Sequence, residues 1–220
     1  MLGGAFDPPH VAHRAMAQHA IAQMQLDVLH VVPTGYAWHK ARPLTDASHR
    51  LAMCELAFAG LPQVLLDDRE IRRSGPSYTL DTLHELHAQY PAAELVLVMG
   101  QDQWDALPSW SHWQTIAELA TLVVAARPAQ SGSQLATNSV VPSGADTIAA
   151  LEPAQSPISL SSILQHGSVQ AQRLAMPLLS ISATAIRHQV STSRGLDPLA
   201  LVDPAVARYI SDHHLYETAT

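Results

Sequence analysis

Leu95-Val96-Leu97-Val98-Met99-Gly100 is an unbroken apolar run halted by a glycine. A strand with one face in water alternates apolar and polar residues, whereas a strand covered on both faces is apolar throughout. The run therefore reads as a parallel strand lying between two layers of helices. Similar runs flank it. Leu26-Asp27-Val28-Leu29-His30-Val31-Val32 reads as a strand stopped by Pro33-Thr34-Gly35, Val64-Leu65-Leu66 as a weaker one, and Thr121-Leu122-Val123-Val124-Ala125 as another.

Helical patterns fill the intervals. Val11 to Met24 is one; Ser48 to Ala59, with Leu51, Met53, Leu56 and Phe58, is the next. Ser77 to Tyr90 carries Leu80, Leu83, Leu86 and His87 at helical spacing and is closed by Pro91. Strand and helix in alternation predict an α/β fold, a doubly wound parallel sheet that binds ligands outside the carboxyl ends of its strands. One domain is expected over residues 1–220. From about 128 to 176 Ala, Ser, Gln and Pro dominate, which predicts a flexible insertion with a weak helix near Ser161 to His166. The pattern resumes at Leu178-Leu179-Ser180-Ile181, and a helix opens near Ser182. Pro204 to His213 gives the chain a C-terminal helical end, with Pro204 in the first turn.

Composition narrows the partners. The 220 residues carry a formal net charge of −7, which argues against broad binding to nucleic acid or anionic membranes. A phosphate ligand must then be held by a local constellation. Cys54 stands alone, so no internal disulfide can form, and it reads as a small buried apolar residue on a helix. The sequence contains no apolar run of membrane-spanning length and does not start with a basic segment leading into an apolar one, so a cytoplasmic protein is expected. The 13 histidines are scattered without a Cys/His zinc pattern.

Two stretches carry chemistry. In Gly3-Gly4-Ala5-Phe6-Asp7-Pro8-Pro9-His10-Val11-Ala12-His13, the glycines permit a tight turn close to a ligand and the prolines stiffen the loop. His10 and His13 share the first turn of a helix, whose free N–H groups and dipole favour an anion. Two imidazoles there can bond to phosphate oxygens and stabilise charge that develops during displacement. A zinc reading of the pair lacks a nearby carboxylate or third histidine, so no protein-held metal is assigned. In Ser180-Ile181-Ser182-Ala183-Thr184-Ala185-Ile186-Arg187, Ser182 is a good N-cap and Thr184 and Arg187 lie on one face. Hydroxyls and a guanidinium at a helix start again suit phosphate oxygens. Purely structural roles stay open at this point: cap-region histidines in the first stretch, and an N-cap followed by an exposed arginine in the second.

Together the glycine turn, Phe-x-Pro-x-His-x-x-His and the downstream Ile-Ser-Ala-Thr-x-Ile-Arg resemble the HxGH/ISSTxIR nucleotidyltransferase superfamily, which has a Rossmann-like fold. Pro76-Ser77-Tyr78-Thr79-Leu80-Asp81-Thr82-Leu83, Gly100-Gln101-Asp102-Gln103-Trp104 and Pro108-Ser109-Trp110 resemble its bacterial nicotinate-nucleotide adenylyltransferase branch. Ala126-Arg127-Pro128 and the segments Tyr209-Ile210 and Leu215-Tyr216 fit the same branch.

The resemblance implies in-line transfer of AMP from ATP to nicotinate mononucleotide, giving deamido-NAD and pyrophosphate, with Mg²⁺ carried by the ATP phosphates. It implies catalytic roles for His10, His13 and Arg187. Gly3, Gly4, Phe6, Gly100, Asp102, Arg127, Ser182 and Thr184 would join them in binding ATP, with Asp102 on the ribose and Gly100 allowing its close approach. His39 and Lys40 would meet the acceptor phosphate, Tyr78 and Thr79 the nicotinate group, and Trp110 would stack on the pyridine ring. Structural alternatives stand beside these roles: Asp102 beginning a helix, Thr79 capping one, Trp110 packing in the core, Lys40 solvated. Nicotinamide mononucleotide or phosphopantetheine as acceptor is the nearest rival, and a nucleotide-binding protein that has lost catalysis is another.

Two features depart from the family pattern. Ala12 stands where the family has glycine, and its methyl would crowd a phosphate or the adenine. Only Met1 and Leu2 precede the glycine turn, so the first strand is expected to be nearly absent, its neighbours to lose ladder partners, and the native chain to begin further upstream.

Overall fold

The computed structural model describes residues 1–36, 43–125, 163–177, 179, 181–192 and 201–217. Its strands are β1 (Leu2–Gly4), β2 (Leu29–Pro33), β3 (Val64–Leu66), β4 (Val96–Gly100), β5 (Thr121–Ala125), β6 (Ile163–His166) and β7 (Val169–Leu174). They form one seven-stranded sheet in the order β3-β2-β1-β4-β5-β7-β6. Every pairing is parallel except β6 with β7. The strand order reverses between β1 and β4. At such a switch point the connections leave toward opposite faces and open a crevice at the carboxyl ends.

The helices are α1 (Val11–Met24), α2 (Ala47–Ala57), α3 (Arg69–Arg72), α4 (Thr79–Gln89), α5 (Gln101–Ala106), α6 (Trp113–Leu119), α7 (Ala183–Thr192) and α8 (Pro204–Asp212). Five alanines make α1 a good helix even though it packs closely on the sheet. Asp46 and Asp203 cap α2 and α8 by accepting from Ser48 N and Ala205 N at 2.8 Å each.

Side-chain alternation distributes the apolar strands between two cores. Val31, Val98 and Val123 join Met53, Cys54, Ile186, Val206 and Ile210 on one face of the sheet. Val32, Leu97, Met99, Leu122 and Val124 join Leu83, Trp104 and Ile116 on the other. This two-sided burial is why β4 is an unbroken apolar run and why β2 and β5 are apolar but for His30 and Thr121. Cys54 is buried, and burial pushes its thiol pKa well above the ordinary value, leaving the group inert.

Two expectations are corrected. The first strand is short but present. Leu2, Gly3 and Gly4 pair with Val31, Val32 and Pro33, and Leu2 also pairs with Val98. The ladder continues beyond them: the Met1 carbonyl accepts from Val98 N at 2.9 Å, and the Gly4 carbonyl from Thr34 N at 2.8 Å. Three residues thus suffice to hold β2 and β4 together, because the neighbouring strands supply the length. Second, Ile163–His166 is not a helix. It is strand β6, turned by Gly167 at φ 57 into β7, and β7 pairs with β5. Pairing in the sheet overrides the weak local helical pattern. The remainder of the expected insertion lies outside the described residues.

Candidate active site

The crevice at the switch point is a cleft of about 690 Å³. The carboxyl ends of β1, β4 and β5 form its floor, through Gly3, Gly4, Gly100 and Ala125. Phe6, Asp7, His10 and His13 form one wall, and Ser182, Thr184 and Arg187 face them. Two helix starts separated by most of the chain therefore border one cavity.

The first wall is set by the β1–α1 loop. Phe6 adopts φ 46, a left-handed conformation, and its ring lies edge-on to His13 at 5.0 Å and to Phe58 at 5.9 Å. A Cβ on Gly4 would come within 3.2 Å of that ring, so the turn leaves little room for a side chain there. His10 is the N-cap of α1. His13 Nδ1 accepts from the His10 backbone N–H at 3.2 Å, and the two rings stack with centroids 3.7 Å apart. That bond fixes Nδ1 of His13 as an acceptor, leaving Nε2 to carry a proton. Ala12 is buried and lines the cleft beside them, so its methyl takes up part of the space a glycine would leave.

The second wall is the start of α7. Ser182 Oγ accepts from Ala185 N at 3.1 Å, which is the expected N-cap contact. Arg187 reaches across the cleft: Nη1 donates to the Asp7 carbonyl at 2.6 Å and Nη2 to Thr184 Oγ1 at 3.1 Å. The guanidinium therefore links the β1–α1 loop to the start of α7 directly.

On the β4 side, Gly100 N donates to Gln103 Oε1 at 3.1 Å, and Asp102 is exposed at the start of α5. A Cβ at Gly100 would lie 2.8 Å from Asp102 Oδ1, so glycine is what lets the carboxylate fold back over the strand end.

Asp7 and Arg50 form a support that the motif reading does not single out. Asp7 is 1% exposed and Arg50 2%. Asp7 Oδ2 accepts from Thr45 N at 3.2 Å, while Arg50 donates to the carbonyls of Thr45 and Ala5 at 2.9 and 3.0 Å. Burial lowers the Arg50 pKa and the Asp7 charge opposes that shift. The signal for Arg50 is an arginine among the apolar positions of α2, where an unpaired charge would be untenable.

The expected acceptor-binding residues are placed less centrally. Tyr78 is the N-cap of α4 and Thr79 its first residue, with the Tyr78 ring exposed. Trp110 is half-buried against the core on the α4–α6 face. None of the three lines the cleft. His39, Lys40 and Arg127 lie outside the described residues. Among the described residues, no three His, Cys, Asp or Glu side chains gather as a metal-ligand set, and no helix is long and apolar enough to cross a membrane.

Fold and site define a class of protein: a doubly wound α/β protein of the nucleotide-binding type, with a switch-point cleft between the β1–α1 loop and the start of a distant helix. Comparison with known proteins narrows the class. The model of the cytidylyltransferase-like family matches residues 1–192. A protein of Albidiferax ferrireducens named "probable nicotinate-nucleotide adenylyltransferase" is 48% identical over 219 residues, covering 100% of this chain and 98% of the relative. One of the same name from Methylibium petroleiphilum is 37% identical, covering 98% of this chain and 91% of the relative. The solved Plasmodium falciparum nicotinic acid mononucleotide adenylyltransferase complexed with NaAD shares the fold, with a TM-score of 0.69 at 19% identity over 98% of this chain and 95% of that one. The chain belongs to the cytidylyltransferase-like family and, within it, to the nicotinate-nucleotide adenylyltransferases.

Proposed function

We propose that the chain transfers AMP from ATP to nicotinate mononucleotide, releasing pyrophosphate and forming deamido-NAD. The observation that carries the residue roles is the bond from Arg187 Nη1 to the Asp7 carbonyl, which holds a guanidinium opposite the paired imidazoles within one cleft. A phosphate oxygen of the acceptor attacks the ATP α-phosphorus. A P–O bond forms there as the bond to the β-phosphate breaks, and the electrons leave with pyrophosphate. Such a step calls for alignment and charge neutralisation rather than a covalent intermediate.

In this reading His10 and His13 donate to oxygens around the α-phosphorus, and Thr184 and Arg187 hold the departing phosphates. Asp102 meets the ribose, and the glycines at the ends of β1 and β4 allow the nucleotide to approach the backbone. His39, Lys40, Tyr78, Thr79 and Trp110 are assigned to the acceptor, and Arg127 to ATP. Mg²⁺ is taken to arrive on the ATP phosphates, with water completing its shell, since among the described residues no three carboxylates or imidazoles gather to hold it. We also propose one domain over residues 1–220 acting in the cytoplasm, where ATP is supplied and a lone thiol stays reduced.

Product analysis tests this reading. The chain is incubated with ATP, Mg²⁺ and, separately, nicotinate mononucleotide, nicotinamide mononucleotide and phosphopantetheine. Pyrophosphate release should be fastest with the first, with deamido-NAD as the adenylylated product. ATP turnover without a dinucleotide, or faster transfer to phosphopantetheine, would reject it.

A further inference from the structure

Beyond α8 the chain turns back toward the cleft. Leu215 N donates to the Ile210 carbonyl at 3.0 Å, and His214 and Tyr216 adopt φ 49 and φ 67. Both are left-handed conformations that residues with a Cβ rarely occupy, so surrounding contacts must hold them. The contact at Tyr216 is with the active-site loop. Its hydroxyl donates to Asp7 Oδ1 at 2.8 Å, across 209 residues of sequence. Burial, followed by the Asp7 charge and that bond, pushes the phenol pKa up, so the proton stays on Tyr216 for donation.

Asp7 joins the parts of the site. Its carboxylate receives Tyr216 and Thr45, its carbonyl receives Arg187, and its chain neighbours lead from β1 into His10. We propose that Tyr216 is a positioning residue for adenylyl transfer. By holding the Asp7 carboxylate, it fixes the loop that presents His10 and the carbonyl on which Arg187 is anchored. This rests on the reading above, in which Arg187 meets the departing phosphates. An O–H donor to a buried carboxylate makes a strong bond, and a displacement of tenths of an ångström at the reacting groups is enough to slow an aligned displacement. Substrate contact by Tyr216 itself is not required.

The test is a graded series in the full chain: Tyr216, 4-aminophenylalanine at the same position, and Tyr216→Phe, with Tyr209→Phe on α8 as the structural control. The hydroxyl of Tyr209 lies 3.0 Å from His49 Nδ1, away from Asp7. Melting temperatures are measured first, and kinetics are run with every protein folded, varying ATP and acceptor separately. We expect kcat to fall about tenfold and the ATP KM to rise several-fold in Tyr216→Phe, with the acceptor KM unchanged and 4-aminophenylalanine intermediate. Should the Phe variant fail to fold, the 4-aminophenylalanine protein alone is expected to show a several-fold lower kcat. Unaltered kcat and ATP KM in a folded variant overturn the proposal, as does an equal loss in Tyr209→Phe. Failure of the unaltered chain to make deamido-NAD would instead sink the functional reading on which the proposal rests.

Discussion

In the proposed transfer, His10 is the residue on which the chemistry presses hardest. It is 7% exposed, at a helix start, with its ring stacked on that of His13. A donor at this place matters most when negative charge moves onto the phosphate oxygens. His10→Ala should therefore lower kcat by about 10²- to 10³-fold with a smaller change in the ATP KM. Steady-state kinetics check this, and near-normal turnover removes His10 from the mechanism. Gly100 makes a subtler prediction. Gly100→Ala puts a methyl 2.8 Å from Asp102 Oδ1, and the carboxylate must swing aside because it is the movable partner. If Asp102 binds the ribose, the ATP KM should rise about tenfold, the equivalent of one charge-assisted hydrogen bond, with kcat little altered. The same change in an Asp102→Ala background should add almost nothing; a full additive effect would show that Gly100 acts on something else.

Among the elements, the segment from β2 to α4 shows electrostatics supporting the fold rather than the chemistry. His30 Nδ1 lies 2.8 Å from Asp67 Oδ2, and Arg69 Nε donates to the same oxygen at 2.7 Å. Burial alone would raise the Asp67 pKa, but the bonds from Arg69 and His30 outweigh it and hold the carboxyl below its ordinary value. The folded chain thus takes up this proton at lower pH than the unfolded chain. Its stabilisation is complete above the ordinary carboxylate range and drains away as pH falls through the lowered folded value. Asp67→Asn should cost about 2 kcal/mol at neutral pH and progressively less in acid. Denaturant melts at several pH values read this out, and a cost independent of pH would refute it.

Elements also differ in how plainly the sequence announces them. β2, β4 and β5 are legible because helices cover both faces, leaving continuous apolar runs. β6 and β7 lie at the sheet's edge, with Gln165, His166, Gln170, Gln172 and Arg173 among their residues, so the composition suggests a loop. Their pattern is nonetheless present: Val169, Ala171 and Leu174 are buried, and Gly167-Ser168 makes a two-residue turn of the kind that joins hairpin strands. α3, four residues long, has too little length to show any period.

For the whole molecule, the informative fact is that the cleft joins the two motifs but is not lined by Tyr78, Thr79 or Trp110, the expected acceptor residues among those described. Both motifs are legible because each is a compact run at a helix start, whereas the bonds that Asp7, Arg50 and Tyr216 make to residues distant in sequence leave no local spacing. Trp110 is the residue at which a packing role and a binding role predict different outcomes. It follows the turn at Leu107–Ser109, its backbone N–H donating to the Leu107 carbonyl at 2.9 Å, and its ring rests half-buried on the core formed with α4 and α6. A residue that only packs there would lower the melting temperature when changed and leave the kinetics of the folded enzyme alone. A ring that stacks on the pyridine contributes about 1 kcal/mol to acceptor binding. Trp110→Leu keeps much of the apolar volume while removing the flat face, so it separates the two roles better than truncation to alanine does. The expected result is an acceptor KM raised about five- to tenfold with the ATP KM unchanged, since the proposed reading puts ATP in the other half of the site. A defect confined to ATP would put the tryptophan on the wrong side of the reacting phosphates, and a change in melting temperature alone would make it a core residue.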